Sequence, residues 1–228
     1  MSTLPKGQRA IEDFPRFGLL QFQNRFVDPS GPVAFEVGGD VENPGSVAGR
    51  FPELPRTKQR SDLHCVTTWS KRGLEWSGVR FRDFYEEWVV PEVRPEAEAR
   101  LVVFRGQDGN CASLLLEDLL VDDVLLADRL DGEPLDIVHG APVRLVAPNH
   151  YGYKNIKHLR AIEFWRDRRH YRYPAPSFLD HPRARVSHEE RAVGLPNWLM
   201  RPLYRLIIPP TRWASRVLLE RQLRKRGG

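Results

Sequence analysis

The stretch from Ser61 to Trp76, SDLHCVTTWSKRGLEW, places one of the chain's two cysteines among residues that are typical of reactive sites. Cys65 directly follows His64, and Lys71 and Arg72 come a few residues later. Nearby positive charge lowers the pKa of a thiol, and the thiolate is a soft metal ligand. A free cysteine is also a common small apolar side chain in protein cores. The residues alone therefore leave two interpretations open, a reactive or metal-binding thiol and a structural one.

A second group of residues, between positions 139 and 157, has the chemistry of an anion site. The segment HGAPVR ends in Arg144 at a predicted strand, and YGYKNIK brings back Lys157 after a glycine turn. An arginine fork and a lysine charge that converge near His139 and Asn155 would bind a phosphate. The alternative is a set of solvated surface cations beside the strand. Neither a Walker A loop nor a GxGxxG motif is present, so the nucleotide-binding motifs are not supported.

Together, the two segments resemble the molybdopterin-dependent oxidoreductase domain of the sulfite oxidase family. The resemblance covers about residues 35–165 and is strongest in DLHCVTTWSKRGLEWSGV and DVLLADRLDGEPLDIVHGAPVRLVAPNHYGYKNIKHLRAIEF. It implies a molybdenum–molybdopterin cofactor in which Cys65 gives its thiolate to the metal. It also implies a set of pterin- and phosphate-binding residues, namely Asn24, His64, Cys65, His139, Arg144, Asn155, Ile156 and Lys157.

Two positions depart from the family pattern near the substrate. Sulfite-oxidising relatives have a tyrosine after the strand LVVF, whereas this chain has Asn110, and Gln23 or Asn24 stands where relatives have a sulfite-binding arginine. An amide neither carries a proton nor fills space as a phenol does, so both departures argue against sulfite as the substrate. We predict instead that Arg105 and Tyr151 enter the substrate pocket as catalytic residues beside the metal ligand.

The function that the resemblance implies is two-electron oxygen-atom transfer on a small, sulfur-containing substrate. The haem and dimerisation domains of larger relatives are not recognised in this sequence, so we expect a separate electron-transfer partner, with the basic C-terminal tail as its docking element. Two alternatives stay open. One is a non-catalytic or degenerate pterin-binding homologue, and the other is a membrane-surface or partner-docking protein that uses the C-terminal tail.

Short apolar runs between turn residues predict a β-rich domain. Strands are predicted at Ala34–Gly38, Leu101–Phe104, Val143–Ala147 and Ile156–Trp165, and Ser113–Leu126 is predicted as a strand followed by a helical turn. Many short strands, few helices and mixed connections favour the α+β class. The resemblance implies a mixed-sheet domain of the sulfite oxidase molybdopterin-binding type.

Composition divides the chain into three predicted parts. Residues 1–32 are rich in proline, glycine and charge and predict an arm over the domain, which spans residues 33–173. Residues 174–228 form an extension that is first proline-broken and then basic, with a helix predicted at residues 211–226. This helix either packs on its own domain or docks on a membrane surface or a partner.

Charge and cysteine content limit the broad class of protein. The net charge is +5, with the excess concentrated in arginines after residue 160, and two cysteines fit a reducing compartment. Cys111 opens an apolar run and is predicted to be structural. The N-terminus lacks an apolar signal region, and no apolar run approaches ~20 residues, so we expect a cytoplasmic protein without a transmembrane segment. Aromatic and basic residues do not interleave as in single-strand-binding proteins, so no nucleic-acid partner is expected.

Overall fold

Two β-sheets carry the segments that the sequence singles out. The computed structural model describes residues 3–18, 22, 24–27, 32–48 and 53–226. Within these residues the strands, in chain order, are β1 (Arg9–Ile11), β2 (Ala34–Gly39), β3 (Gly45–Ala48), β4 (Arg56–His64), β5 (Trp69–Arg80), β6 (Leu101–Gly106), β7 (Cys111–Leu115), β8 (Leu125–Leu130), β9 (Glu133–Pro134), β10 (Arg144–Val146) and β11 (Leu159–Trp165).

The first sheet has the order β1-β5-β8-β10, with β4 paired to β5 and β9 paired to β8. The second sheet has the order β3-β2-β11-β6-β7. One pair in each sheet is parallel, β1 with β5 and β11 with β2, and the other pairs are antiparallel. Mixed sheets with few helices confirm the predicted α+β class.

The helices are short apart from the last one. α1 (Phe81–Phe84) continues into a π-helical stretch at Tyr85–Val93, α2 (Leu116–Leu119) is a single turn, and α3 runs from Asn197 to Arg226. In the described part of the chain, none of the helices combines the length and the apolar character needed to cross a bilayer.

The main core lies where both sheets meet α1 and the π-helical stretch. Aliphatic side chains make up most of it, and aromatic side chains pack among them, as Phe81 does in edge-to-face contacts with Phe84 and Phe104 at centroid distances of 6.1 and 5.8 Å. Burying one such side chain stabilises the fold by about 1.5–3 kcal/mol. This core fixes the relative position of the two sheets, and the loops at their edges carry the polar residues of the site.

Most predicted strands are confirmed, with boundaries that move by one to three residues. The run 113–126 is a strand followed by a helical turn, as predicted, although the strand begins at Cys111 and β8 begins at Leu125. The predicted strand 156–165 starts only at Leu159, because His158 has a left-handed backbone with φ of +53° and ends the preceding loop.

The C-terminal helix is longer than predicted. It begins at Asn197 rather than residue 211, despite three internal prolines that the sequence pattern treats as helix breakers. Its inward side chains, Met200 and Tyr204, are buried against Val66 and Tyr151. This tertiary packing stabilises the helix where the intrinsic propensity of its sequence does not.

Buried ion pairs join the segment after residue 173 to the sheets. The Lys154 ammonium, which is fully buried, lies 2.8 Å from the Asp180 carboxylate, and Arg168 donates to the same carboxylate at 2.6 Å. Arg191, also fully buried, pairs with Glu189 at 3.1 Å. The extension is therefore part of the packed structure, while its division from residues 33–173 as a separate unit stays a prediction.

Substitution of Asp180 should show how much more a buried ion pair contributes to stability than an exposed one. We expect Asp180→Asn to lower the free energy of unfolding by about 3–5 kcal/mol, because Lys154 would remain buried without a counter-ion. Asp167→Asn, which breaks an exposed pair with Arg169, is the matched control and should leave the free energy of unfolding nearly unchanged. Urea denaturation of both variants measures the difference, and equal small losses would contradict a structural role for the Asp180 pair.

Candidate functional site

A cavity beside the turn between β4 and β5 gathers several of the predicted site residues. Its wall includes Cys65, Arg144, Asn155 and Lys157. The arm segment 14–18 lines the same cavity, which is how residues far apart in sequence come to share one surface. The site therefore lies between the first sheet, the loop before β11 and the N-terminal arm.

A tight turn positions the Cys65 thiol. The Cys65 N–H donates to the Trp69 carbonyl at 2.8 Å, and the Thr68 N–H donates to the Cys65 carbonyl at 3.1 Å. Thr68 has φ of +76°, a left-handed backbone that closes the turn. The Gln8 side-chain amide donates to the Cys65 carbonyl at 3.0 Å, so the arm also holds this residue.

Burial keeps the Cys65 thiol protonated when no ligand is bound. Desolvation raises the pKa of Cys65, opposed by a contact of 3.1 Å between Sγ and the Thr67 hydroxyl and by the nearby charges of Arg191 and Lys157. To bind a metal ion, a thiol must lose its proton, because the thiolate is the ligand. No group of three or more His, Cys, Asp or Glu side chains with metal-binding geometry occurs among the described residues.

Two cations on the cavity wall, the buried Arg144 and the half-buried Lys157, lack a carboxylate hydrogen-bond partner among the described residues. The Arg144 guanidinium donates to the backbone carbonyls of His139 at 2.8 Å, and of Leu145 and Asn155 at 3.3 Å. The Lys157 ammonium donates to the Val138 carbonyl at 2.7 Å. Carbonyl oxygens satisfy these donors without neutralising their charge, so the pair has the charge needed to hold an anion.

The electrostatics of the two cations support this assignment. Burial lowers the pKa of Arg144 to about 9. Burial, together with the nearby Arg144 charge, lowers the pKa of Lys157 to about 7. Asp108 is a carboxylate on the same wall, and its own pKa is raised by burial. A bound anion would remove the repulsion between the cations and favour the charged form of Lys157.

Three other predicted cofactor residues, His64, His139 and Ile156, do not line the cavity and contact neighbouring segments. His64 is buried and its Nδ1 lies 2.8 Å from the Ser70 hydroxyl, so it stabilises the turn. His139 contacts the arm, with Nε2 3.1 Å from the Phe14 carbonyl. Ile156 is buried in the main core.

Asn155 is the predicted residue that both lines the cavity and shapes it. Its side-chain carbonyl accepts a hydrogen bond from the Ala147 N–H at 2.6 Å, which fixes the loop that leads to Lys157. Asn24, by contrast, is exposed and does not line the cavity, and Gln23 lies outside the described residues. The predicted pterin contact of Asn24 has no support from this geometry.

The two predicted substrate residues, Arg105 and Tyr151, do not line the cavity, so their catalytic roles gain no support from this geometry and stay predictions. Arg105 makes a bidentate ion pair with Glu163, at 2.6 and 2.8 Å, on the neighbouring strand. Tyr151 is fully buried between Val66 and the C-terminal helix, with the Arg191 guanidinium 4.9 Å from its ring centre. Sequence position alone does not give the direction of a side chain, and each of these points away from the cavity.

The cavity has an aromatic wall that the sequence reasoning missed. Phe14 and Phe17 reach it from the arm, Trp69 from the start of β5, and Tyr153 and Tyr173 from the opposite side. The arm motif FPRFG, with an arginine between aromatic residues, is the signal that would have indicated a lining role. Asn110, which stands where sulfite-oxidising relatives have a tyrosine, also lines the cavity.

The chain matches the family model described as the oxidoreductase molybdopterin-binding domain over residues 28–173. It is 40% identical over 114 residues to the uncharacterized oxidoreductase YuiH of Bacillus subtilis, covering 50% of this chain and 55% of that protein. It is 28% identical over 236 residues to the protein-methionine-sulfoxide reductase catalytic subunit MsrP of Xanthomonas axonopodis, covering 82% of this chain and 70% of that protein. The chain thus spans about half the length of the first relative.

Among solved structures, the chain is similar to the sulfane dehydrogenase SoxCD from Paracoccus pantotrophus. The TM-score is 0.52 at 23% identity, over 59% of this chain and 38% of that one. At this level of identity the similarity shows a shared fold.

Removing the Lys157 charge should weaken anion binding and stabilise the ligand-free protein. We expect Lys157→Met to lower affinity for inorganic pyrophosphate about tenfold or more, because a charge-assisted hydrogen bond is lost. The folded state binds the Lys157 proton less tightly than the unfolded state, so the penalty is complete below pH 7 and disappears as the pH rises towards 10.5.

The gain in the free energy of unfolding for Lys157→Met should therefore be about 2–4 kcal/mol at pH 6 and should shrink at pH 9. Calorimetry with pyrophosphate and urea denaturation at the two pH values measure both effects. Lys58→Met, at an exposed lysine, is the matched control and should change neither. A loss of stability at pH 6 would show that Lys157 has a structural partner.

Proposed function

The chain belongs to the oxidoreductase molybdopterin-binding domain family, and on that premise we propose that it catalyses two-electron oxygen-atom transfer on a small, sulfur-containing substrate. A sulfoxide is the first substrate to test. The observation that carries the proposal is the buried Cys65 thiol on the wall of the same cavity as two cations, Arg144 and Lys157, whose hydrogen-bond acceptors among the described residues are backbone carbonyls.

The donor set of the cavity fits molybdenum–molybdopterin, the cofactor of this family. Arg144 and Lys157 suit the phosphate, and Cys65 suits the metal as a single thiolate ligand. Trp69 Nε1 is buried without an acceptor among the described residues, which fits a polar ligand in the cavity. Gly140 has φ of +114°, and a Cβ there would lie 3.1 Å from the Cβ atoms of both cations, so a larger residue would displace them.

When bound, the cofactor supplies the two-electron redox chemistry and the oxygen-atom transfer. The chain's residues bind and orient it and keep water out. Arg144 and Lys157 compensate the negative charge, and the turn at Cys65 fixes the direction of the thiolate. The aromatic side chains from the arm cover the cavity and lower its polarity.

The aromatic wall favours a sulfoxide over a compact anion as the substrate. Sulfur groups pack favourably against aromatic rings, as Phe17, Trp69 and Tyr173 offer here. The name of the MsrP relative, a methionine sulfoxide reductase subunit, supports the same class. Reducing a sulfoxide consumes two electrons and two protons and releases a thioether and water. Asp108, whose pKa is raised by burial, is a candidate proton donor on the cavity wall.

The electrons are proposed to come from a separate protein, in line with the description of MsrP as a catalytic subunit. Docking of that protein on the basic C-terminal tail stays a prediction, as does a cytoplasmic location. A non-catalytic pterin-binding protein is the competing function, and turnover assays separate the two.

The test is elemental and kinetic analysis of protein from a molybdenum-replete host. We expect near-stoichiometric molybdenum and pterin, and reduction of methionine sulfoxide by a reduced viologen dye. Cys65→Ser should lower the rate at least about a hundredfold, because the protein's metal ligand is changed. Cys111→Ser is the matched control and should keep the activity, since Cys111 is a buried cysteine that donates to the Arg172 carbonyl.

Two results would contradict the proposal. In the first, metal-loaded protein shows no turnover of sulfoxides with an electron donor or of sulfite with an electron acceptor. This result would favour the non-catalytic pterin-binding protein. Protein that lacks both molybdenum and pterin would remove the enzyme interpretation altogether.

A further inference from the structure

The outward face of α3 is apolar and exposed from Trp198 to Trp213. Large side chains recur there every three or four residues, the spacing that places them on one side of an α-helix. Trp198 is 73% exposed, Leu206 74% and Trp213 69%. Leu199 and Leu203 are exposed on the same face, and the three prolines of the helix lie between them. A continuous apolar strip of this kind marks an interaction surface.

The opposite face of α3 already makes the core contact of the helix. Met200, Tyr204, Thr211 and Ser215 are buried there. Because this inward face satisfies the packing of the helix, the exposed strip is not needed to attach α3 to the rest of the chain. The strip is therefore available for contact with another surface.

Positive charge accompanies the apolar strip. The thirty residues of α3 contain eight Lys or Arg residues and one acidic residue, Glu220. Among the arginines of α3 whose burial is described, Arg205, Arg216, Arg221 and Arg224 are exposed residues. An apolar face that carries tryptophan and is flanked by arginine is typical of helices that lie in the plane of a membrane surface.

We propose that α3 binds an anionic phospholipid surface through this strip and holds the oxidoreductase domain against the membrane. The two tryptophans lie fifteen residues apart, or about 22 Å along the helix. This flat, apolar line with flanking cations matches acyl chains beneath anionic headgroups. The proposal goes beyond the chemistry proposed above and does not depend on the cofactor.

Membrane binding through α3 would bring the cysteine turn close to the lipid. Tyr204, on the buried side of the helix, packs in one cluster with Val66, the residue after Cys65. Ile208 packs in the cluster that contains Cys65 itself. One helix therefore separates the proposed lipid surface from the turn that carries the thiol.

The test is flotation of the full-length holoprotein with vesicles of phosphatidylcholine, alone or mixed with phosphatidylglycerol. We expect binding to the anionic vesicles that weakens as salt rises, and much weaker binding to phosphatidylcholine alone. Trp198→Ser combined with Trp213→Ser should reduce partitioning at least about tenfold, because two large apolar contacts are lost. Val90→Ser combined with Val121→Ser, two exposed apolar positions outside α3, is the matched control and should bind like wild type.

The activity of the same proteins separates this proposal from the proposed function. The tryptophan double variant should reduce a soluble sulfoxide at the wild-type rate, and Cys65→Ser should float like wild type. Three results would overturn the proposal: the wild type does not float, the tryptophan variant floats as well as the wild type, or binding is independent of lipid charge and salt. Two further outcomes would also overturn it: a dimer that forms without lipid and is lost in the tryptophan variant, and binding that requires a membrane protein.

Discussion

The turn between β4 and β5 is the constraint on which the site depends. The turn positions the Cys65 thiol at the cavity. The N-terminal arm and the C-terminal extension each donate a hydrogen bond to the turn. Gln8, in the arm, donates to the Cys65 carbonyl, and the buried Arg191, in the C-terminal extension, donates to the Val66 carbonyl at 2.5 Å. The position of one sulfur atom thus depends on hydrogen bonds from both outer segments as well as on the β4–β5 pairing.

Buried and half-buried cations in the described part of the chain differ in whether a carboxylate compensates their charge, and this difference supports the candidate site. Lys154 and Arg191 are each paired with a buried carboxylate, Asp180 and Glu189 respectively, so their charges are neutralised within the fold. Arg144 and Lys157 have only carbonyl acceptors among the residues that the structure describes. A fold that neutralises some buried cations but leaves an adjacent pair charged loses stability at that pair. Binding of an anionic cofactor recovers it.

The sequence predicts the ligand and the anion-binding pair because their motifs are local. Cys65 lies in one short segment, and Arg144, Asn155 and Lys157 lie within fourteen positions of one another. The class of the fold is also accessible, since apolar runs mark the buried strands. These features depend on residue type and spacing, which a sequence contains directly.

Features that depend on tertiary contacts are not accessible in this way. β4 consists mostly of polar residues with alternating exposure, so no apolar run marks it as a strand. The aromatic lining comes from the arm and from loops that are distant in sequence. Arg105 and Tyr151 have the right chemistry for a substrate pocket, but a strand partner directs the first away and the C-terminal helix covers the second.

The arm and α3 form one continuous cover over the cysteine side of the domain. Arg212 of α3 makes an ion pair with Asp13 of the arm, next to Phe14, which lines the cavity. Pro15, Trp69 and Arg212 also share a smaller cleft between arm and helix. Since the same short arm segment contacts both the cavity and the helix, a surface that binds α3 also constrains the cover of the cavity. Attachment of the protein through α3 would therefore be linked to access to the cavity.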